Sequence, residues 1–154
     1  MVVDFSKLKK LREETDVSFS LCKKALEESD NDLKKARLLL QEWGGKKASE
    51  KSDRETGEGG IFNYIHHNKK IASLLELASE TDFVSGNEDF QKLGNELAMQ
   101  AASVKAKDLE DFLDQEYIRD SSKKVSDLIK EAVLKFGENI KVIRFVRWEF
   151  ARSN

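Results

Sequence analysis

The run Ile71-Ala72-Ser73-Leu74-Leu75-Glu76-Leu77, then Thr81-Asp82-Phe83-Val84, then Asn87-Glu88-Asp89-Phe90 decides how the second half of this chain is read. The first stretch is apolar enough for a strand, and Asn87 with two acids behind it opens a helix. Phe83 therefore lies on a strand-to-helix connection, a surface element that normally stays polar. Its neighbours Ser79, Glu80, Thr81, Asp82, Ser85, Gly86 and Asn87 offer few apolar side chains to cover it. Either Phe83 or Val84 caps the local core, or the ring is held out on a rigid mount as an interface anchor.

Outward from this stretch, Ile61-Phe62-Asn63-Tyr64-Ile65-His66 reads as a second strand, joined to the first through a His67-Asn68-Lys69-Lys70 hairpin. The helix from Asn87 has a stripe of Phe90, Leu93, Leu97, Ala98 and Ala101. Residues 108–117 read both ways. A further helix is expected from Ser121 or Ser122, burying Val125, Leu128, Ile129, Ala132, Val133 and Phe136 and ending at Gly137. The stretch from Ile140 to Phe150 reads as a last strand whose alternation slips midway, as a bulge or burial on both faces would require. The class is α+β, with a small antiparallel sheet of about three strands packed with helices.

The first 45 residues read as three short helices. Leu8 and Leu11 mark the first; Leu21, Cys22, Ala25 and Leu26 mark the second, with Ser18 or Ser20 as N-cap. The third carries Leu33, Ala36, Leu39, Leu40 and Trp43, with Asp30 or Asn31 as cap and a glycine stop at Gly44-Gly45. Between there and Gly60 only glycine, serine and mixed charge remain, the composition of a linker or a solvated helical connector. The expected organisation is a helical domain over 1–45, a connector over 46–60 and an α+β core over 61–154.

Twenty-seven basic against 29 acidic side chains leave a net charge of −2, without the basic excess of a dedicated phosphate-backbone binder. One cysteine, Cys22, allows no intrachain disulfide and fits a reducing cytosol. The opening residues lack an apolar signal core, and no apolar run approaches the length of a membrane span.

Candidate chemistry is sparse. His66 and His67, if both on a strand, point to opposite faces and cannot share a metal. Cys22 falls in an apolar helical stripe, as a buried structural thiol does. Gly57-Glu58-Gly59-Gly60 lacks the Lys-Ser/Thr of a phosphate loop. The expectation is a protein that is not an enzyme, with no cofactor and no metal. Arg144, Arg147 and Arg152 interleave with Phe145, Trp148 and Phe150, but a charged edge strand explains them better than a nucleic-acid surface.

Several segments, in order, resemble bacterial translation elongation factor Ts, in its short form. They are Leu8-Lys9-Lys10-Leu11-Arg12-Glu13-Glu14-Thr15, Cys22-Lys23-Lys24-Ala25-Leu26, Tyr64-Ile65-His66, Leu75 through Val84 with Asn87-Glu88-Asp89-Phe90, and Gly137-Glu138-Asn139-Ile140 leading into Arg144-Phe145-Val146-Arg147. The resemblance implies a UBA-like three-helix domain, a connector and an α+β core. It further implies a guanine-nucleotide exchange factor for the GTPase elongation factor Tu. In that reading Thr81, Asp82, Phe83 and Val84 form the wedge that disturbs the Mg²⁺ site of the GTPase, while Lys23, Lys24, Asn87 and Phe90 add partner contacts. A non-covalent homodimer is a further implied partner. The alternative function is an adaptor that binds protein partners through the UBA-like bundle.

Three departures from the family pattern stand out. Asp16-Val17-Ser18-Phe19-Ser20-Leu21 replaces Gly-Ala-Gly/Ser-x-Met-Asp, residues 104–121 are shorter than the usual insertion, and Val146 stands near the final-strand cysteine of some short members.

Overall fold

A computed structural model describes residues 2–152. The chain divides into two compact units: one takes the residues up to Asp53 together with Lys130–Glu138, the other Arg54–Ile129 and the residues from Asn139 onward.

The first unit is built on three helices, α1 (Phe5–Thr15), α2 (Phe19–Glu28) and α3 (Leu33–Lys51). Asp4 caps α1 by accepting from the Ser6 and Lys7 amides, and Ser18, one of the two expected caps, accepts from Leu21 N in α2. Leu8, Leu11, Val17, Cys22, Ala25, Leu26, Ala36 and Leu40 make the core, with Leu134 packed against it. The Cys22 thiol lies in this core, hydrogen-bonded to the Val17 carbonyl, and burial pushes its pKa up.

Two local expectations are corrected in α3. Its cap is Asp32, which accepts from Lys35 N; Asp30 and Asn31 instead take left-handed φ values of 60° and 61° and form the turn. The glycine pair does not stop the helix, which runs on to Lys51. At Gly44 a Cβ would fall 2.7 Å from the Lys130 carbonyl oxygen, so this glycine serves close approach of a neighbouring backbone rather than a C-cap.

The second unit holds an antiparallel sheet in the order β1 (Glu58–Ile65), β2 (Ile71–Ser79), β5 (Lys141–Glu149). The hairpin and the last strand agree with the sequence reading. A register irregularity at Glu76/Leu77 leaves Ile143 as the extra residue, the expected bulge. Between β2 and β5 come α4 (Asp82–Ser85), α5 (Glu88–Ser103), α6 (Leu109–Asp114), the β3 (Glu116–Tyr117) and β4 (Asp120–Lys124) pair, and α7 (Val125–Phe136). The helix expected from Ser121 or Ser122 thus begins at Val125, because residues 120–124 pair with β3 and leave the helical path.

One face of the sheet is covered by α5. Phe62 and Phe90 meet with ring centroids 6.1 Å apart, and Phe112 of α6 stacks on Phe145 of β5 at 4.8 Å. A Cβ at Gly94 would overlap the Phe62 ring, so α5 can lie this close only because position 94 is glycine. The buried Gln100 amide donates to Gln115 Oε1 and the Glu116 carbonyl and accepts from Ile118 N, tying β3 to α5.

The rings of His66 and His67 lie 4.2 Å apart rather than on opposite faces, because β1 ends at Ile65 and His67 already belongs to the turn. Among the described residues no helix is long and apolar enough to cross a membrane. Gly94→Ala is expected to destabilise the protein by about 1–3 kcal/mol, because the gain in helix propensity is smaller than the cost of overpacking Phe62. Chemical denaturation checks this, with a lower midpoint at unchanged slope expected.

Candidate functional site

The turn after β2 spends its hydrogen bonds on its own shape. Thr81 is the N-cap of α4, its hydroxyl accepting from Val84 N at 3.4 Å. Beneath it the buried Ser79 hydroxyl donates to the Thr81 carbonyl at 2.9 Å. The Gly86 amide returns to the Asp82 carbonyl at 2.9 Å and the Asn87 amide to the Val84 carbonyl at 3.0 Å. Gln91 Nε2 donates to the Ser85 carbonyl at 2.7 Å, binding the turn to α5, and Glu80 Oε2 accepts from Asn139 N at 2.6 Å.

Val84 and Ser85 point inward and are buried, while Phe83 is 86% exposed. Of the two readings open in the sequence, Val84 is the core cap and Phe83 is the presented ring. A one-turn helix with one apolar residue buried and the next turned to water cannot hide both, because successive side chains lie roughly 100° apart around the axis. Asp82 stands exposed beside Phe83 in the first turn.

The remaining expected site residues separate. Asn87 is exposed and caps α5, accepting from Asp89 N at 2.8 Å. Phe90 is corrected: it is fully buried against Phe62 and supports the turn from below, so it offers no surface to a partner. In the first unit, Lys23 and Lys24 are both exposed on α2; Lys24 pairs with Glu28 at 3.8 Å and its ammonium lies 5.2 Å from the Trp43 ring centroid.

The arginine-aromatic strip at the end of the chain is divided: Trp148 and Phe150 are exposed, whereas Arg144, Arg147 and Phe145 are engaged within the chain. Arg144 Nε donates to Glu76 at 2.8 Å, Arg147 is held by Glu149 and the Ala102 carbonyl, and Phe145 is packed under Phe112. Among the described residues no cluster of three His, Cys, Asp or Glu side chains could hold a metal.

Two apolar surfaces escaped the sequence reading. The sheet face away from α5 shows Ile61, Ile65, Leu74, Val146 and Trp148, all exposed and adjacent through the pairings Leu74–Val146 and Ala72–Trp148. The available signal was the doubled apolar pairs Ile61-Phe62 and Leu74-Leu75, which put hydrophobic side chains on both faces of a strand. In the first unit, Phe5 and Phe19 are exposed around a cleft of about 370 Å³ with Lys9 and Arg12.

A small chain with a helical unit, an α+β unit and a hydrogen-bonded turn that holds one aromatic ring in water has the build of a protein-docking module. The family model described as elongation factor TS matches residues 80–154, beginning at the foot of this turn. An elongation factor Ts of Thermosipho melanesiensis is 39% identical across 92% of this chain and 95% of its own length. One of Leptospira biflexa is 37% identical across 97% of this chain and 98% of its own. One of Clostridium botulinum is 44% identical across 91% of this chain and 46% of its own. The chain belongs to the elongation factor Ts family.

The alignment with the Thermosipho protein runs over 186 positions, more than the 154 residues present, so it opens gaps in this chain. Asp16, in the first of the departing stretches, takes a left-handed φ of 55° as the C-cap of α1, its amide donating to the Arg12 carbonyl.

Thr81→Ala is expected to cost about 1 kcal/mol through the lost cap, and Phe83→Ala less than about 0.5 kcal/mol, since that ring makes little contact in the free chain. Thermal unfolding of the two variants distinguishes them.

Proposed function

We propose that this chain is a guanine-nucleotide exchange factor for elongation factor Tu, acting in the cytoplasm without chemical catalysis of its own. Family membership supports the partner, and the exposure of Phe83 on a braced turn supports the mechanism. Phe83 enters the GTPase beside its switch region, with Thr81 and the buried Val84 holding the turn in shape and Asp82 entering beside the ring. The intrusion disturbs the groups that hold Mg²⁺. Because that ion bridges the phosphates of GDP, loosening it removes much of the electrostatic hold on the nucleotide.

Exchange then follows from linkage. A factor that binds the nucleotide-free GTPase more tightly than the GDP form weakens GDP binding by the same ratio. One aromatic anchor seated in a partner supplies about 2 kcal/mol or more toward that difference. Lys23 and Lys24 on α2 and Asn87 at the start of α5 add contacts with the GTPase. Direct binding of nucleic acid has no part in this reading.

A second copy of the chain is the other partner in this proposal. The apolar sheet face with Ile61, Ile65, Leu74, Val146 and Trp148 favours it, and the buried Cys22 leaves such a pair non-covalent. Sedimentation is expected to show a concentration-dependent dimer for the native chain and a monomer for Ile65→Glu; a native chain that stays monomeric at all concentrations contradicts the pairing.

The exchange reading is tested by following release of a fluorescent GDP from elongation factor Tu at millimolar Mg²⁺. The native chain is expected to accelerate release, and Phe83→Ala to lose at least about tenfold of that acceleration while keeping its fold. Equal acceleration by the two rules out the wedge. Binding by both without acceleration by either transfers the function to the adaptor reading, for which the Phe5 and Phe19 cleft is the surface to probe.

A further inference from the structure

β5 is an edge strand: β2 pairs with one side of it, and the sheet order ends there. Its nine residues are long for an edge that, among the described residues, has no neighbouring strand on its outer side. The Phe150 amide donates to the Lys70 carbonyl at 2.7 Å, which sets the phase of the ladder. Trp148 and Val146, in the same phase, turn their main-chain groups toward β2, so those of the intervening residues, Phe145 among them, turn outward.

Along this outer side runs a groove of about 610 Å³, bounded by β5 on one wall and on the other by residues 105–109, which end the link from α5 and open α6. Lys105 and Lys107 stand on the far wall, and Arg147 and Arg152 on the near one, against the acids Asp108 and Glu149. The positive balance acts on its own acid: Arg147 first, then the charges of Lys105 and Arg152, hold the Glu149 carboxyl below the usual carboxylate range. Ala106, Leu109 and Phe145 give the floor an apolar strip. Strand edge, apolar floor and basic far wall are the three components of a site that takes an extended peptide by adding it to the sheet.

We infer that β5 receives an extended acidic segment of a partner protein as a fourth strand, its main chain paired with the outer edge of β5 and its carboxylates facing Lys105 and Lys107. Charge selects this occupant. A second β5 from another copy would bring Lys141, Arg144, Arg147 and Arg152 with one acid, Glu149, and so set a net positive strand against the same basic wall, where like charges repel. The site is separate from Phe83 and does not depend on the exchange reading.

The test uses the full chain, isotope-labelled, titrated with the peptide acetyl-Glu-Val-Glu-Thr-Glu-Val-Glu-amide. Saturable binding is expected, with shifts centred on residues 143–149 and slowed hydrogen exchange at the Phe145 amide. Methylating alternate peptide nitrogens, which keeps the charge but removes the strand donors, is expected to abolish it. The exposed double variant Lys105→Glu with Lys107→Glu is expected to bind at least about tenfold more weakly while its own spectrum stays folded. Equal binding of the methylated peptide, or of one with lysine in place of glutamate, overturns the proposal. So does an oligothymidylate that competes for the groove more strongly than the acidic peptide, since that would make it a nucleic-acid surface.

Discussion

The second unit depends on one close approach, that of Phe62 in β1 to the backbone of α5 at Gly94. Because no Cβ intervenes, the helix lies directly on the ring, and Phe90 closes on Phe62 from the preceding turn of the helix. That contact fixes the start of α5 relative to the end of β2, the two points between which residues 80–87 must run. With both ends held, a short connection has few conformations left, and the hydrogen bonds of Ser79, Thr81 and Gln91 select one. The exposure of Phe83 is therefore a consequence of core packing as much as of its own surroundings. Moving the ring inward would require displacing Val84, which already fills the position beneath the turn.

The sheet is used unevenly. Its inner face is sealed by α5 and α6, while the other face keeps Ile61, Ile65, Leu74, Val146 and Trp148 in water and the β5 edge adjoins a basic groove. A protein of this size carries some exposed apolar side chains in any case, but adjacent ones across three paired strands form a surface. The exposed charge pairs on this unit, such as Arg144 with Glu76, add little to stability and serve mainly to keep the arginine from presenting a bare charge.

Much of this was legible in the residues. The hairpin, the helix from Asn87 and the slip in the last strand follow from periodicity and capping, and the T-D-F-V element points to the turn. What was not legible has identifiable causes. Gly44 looked like a helix stop because a glycine that ends a helix and one that admits a neighbouring backbone have the same letter; only the position of Lys130 separates them. Residues 120–124 carry two serines before an apolar run, which suits an N-cap as well as a short strand, and pairing with β3 decided it. Phe90 stood within the matched motif, and motif membership does not distinguish a residue that touches a partner from one that supports the residue that does.

On the proposed function, the ring of Phe83 is held in water in the free chain and is covered by the GTPase on binding. Fluorine NMR of the chain carrying 4-fluorophenylalanine at position 83 alone tests it directly. A resonance with a full solvent-isotope shift between H₂O and D₂O is expected in the free chain, with loss of that shift once elongation factor Tu with GDP is added to saturation. A resonance insensitive to solvent in the free chain, or one that keeps its isotope shift in the saturated complex, would contradict it.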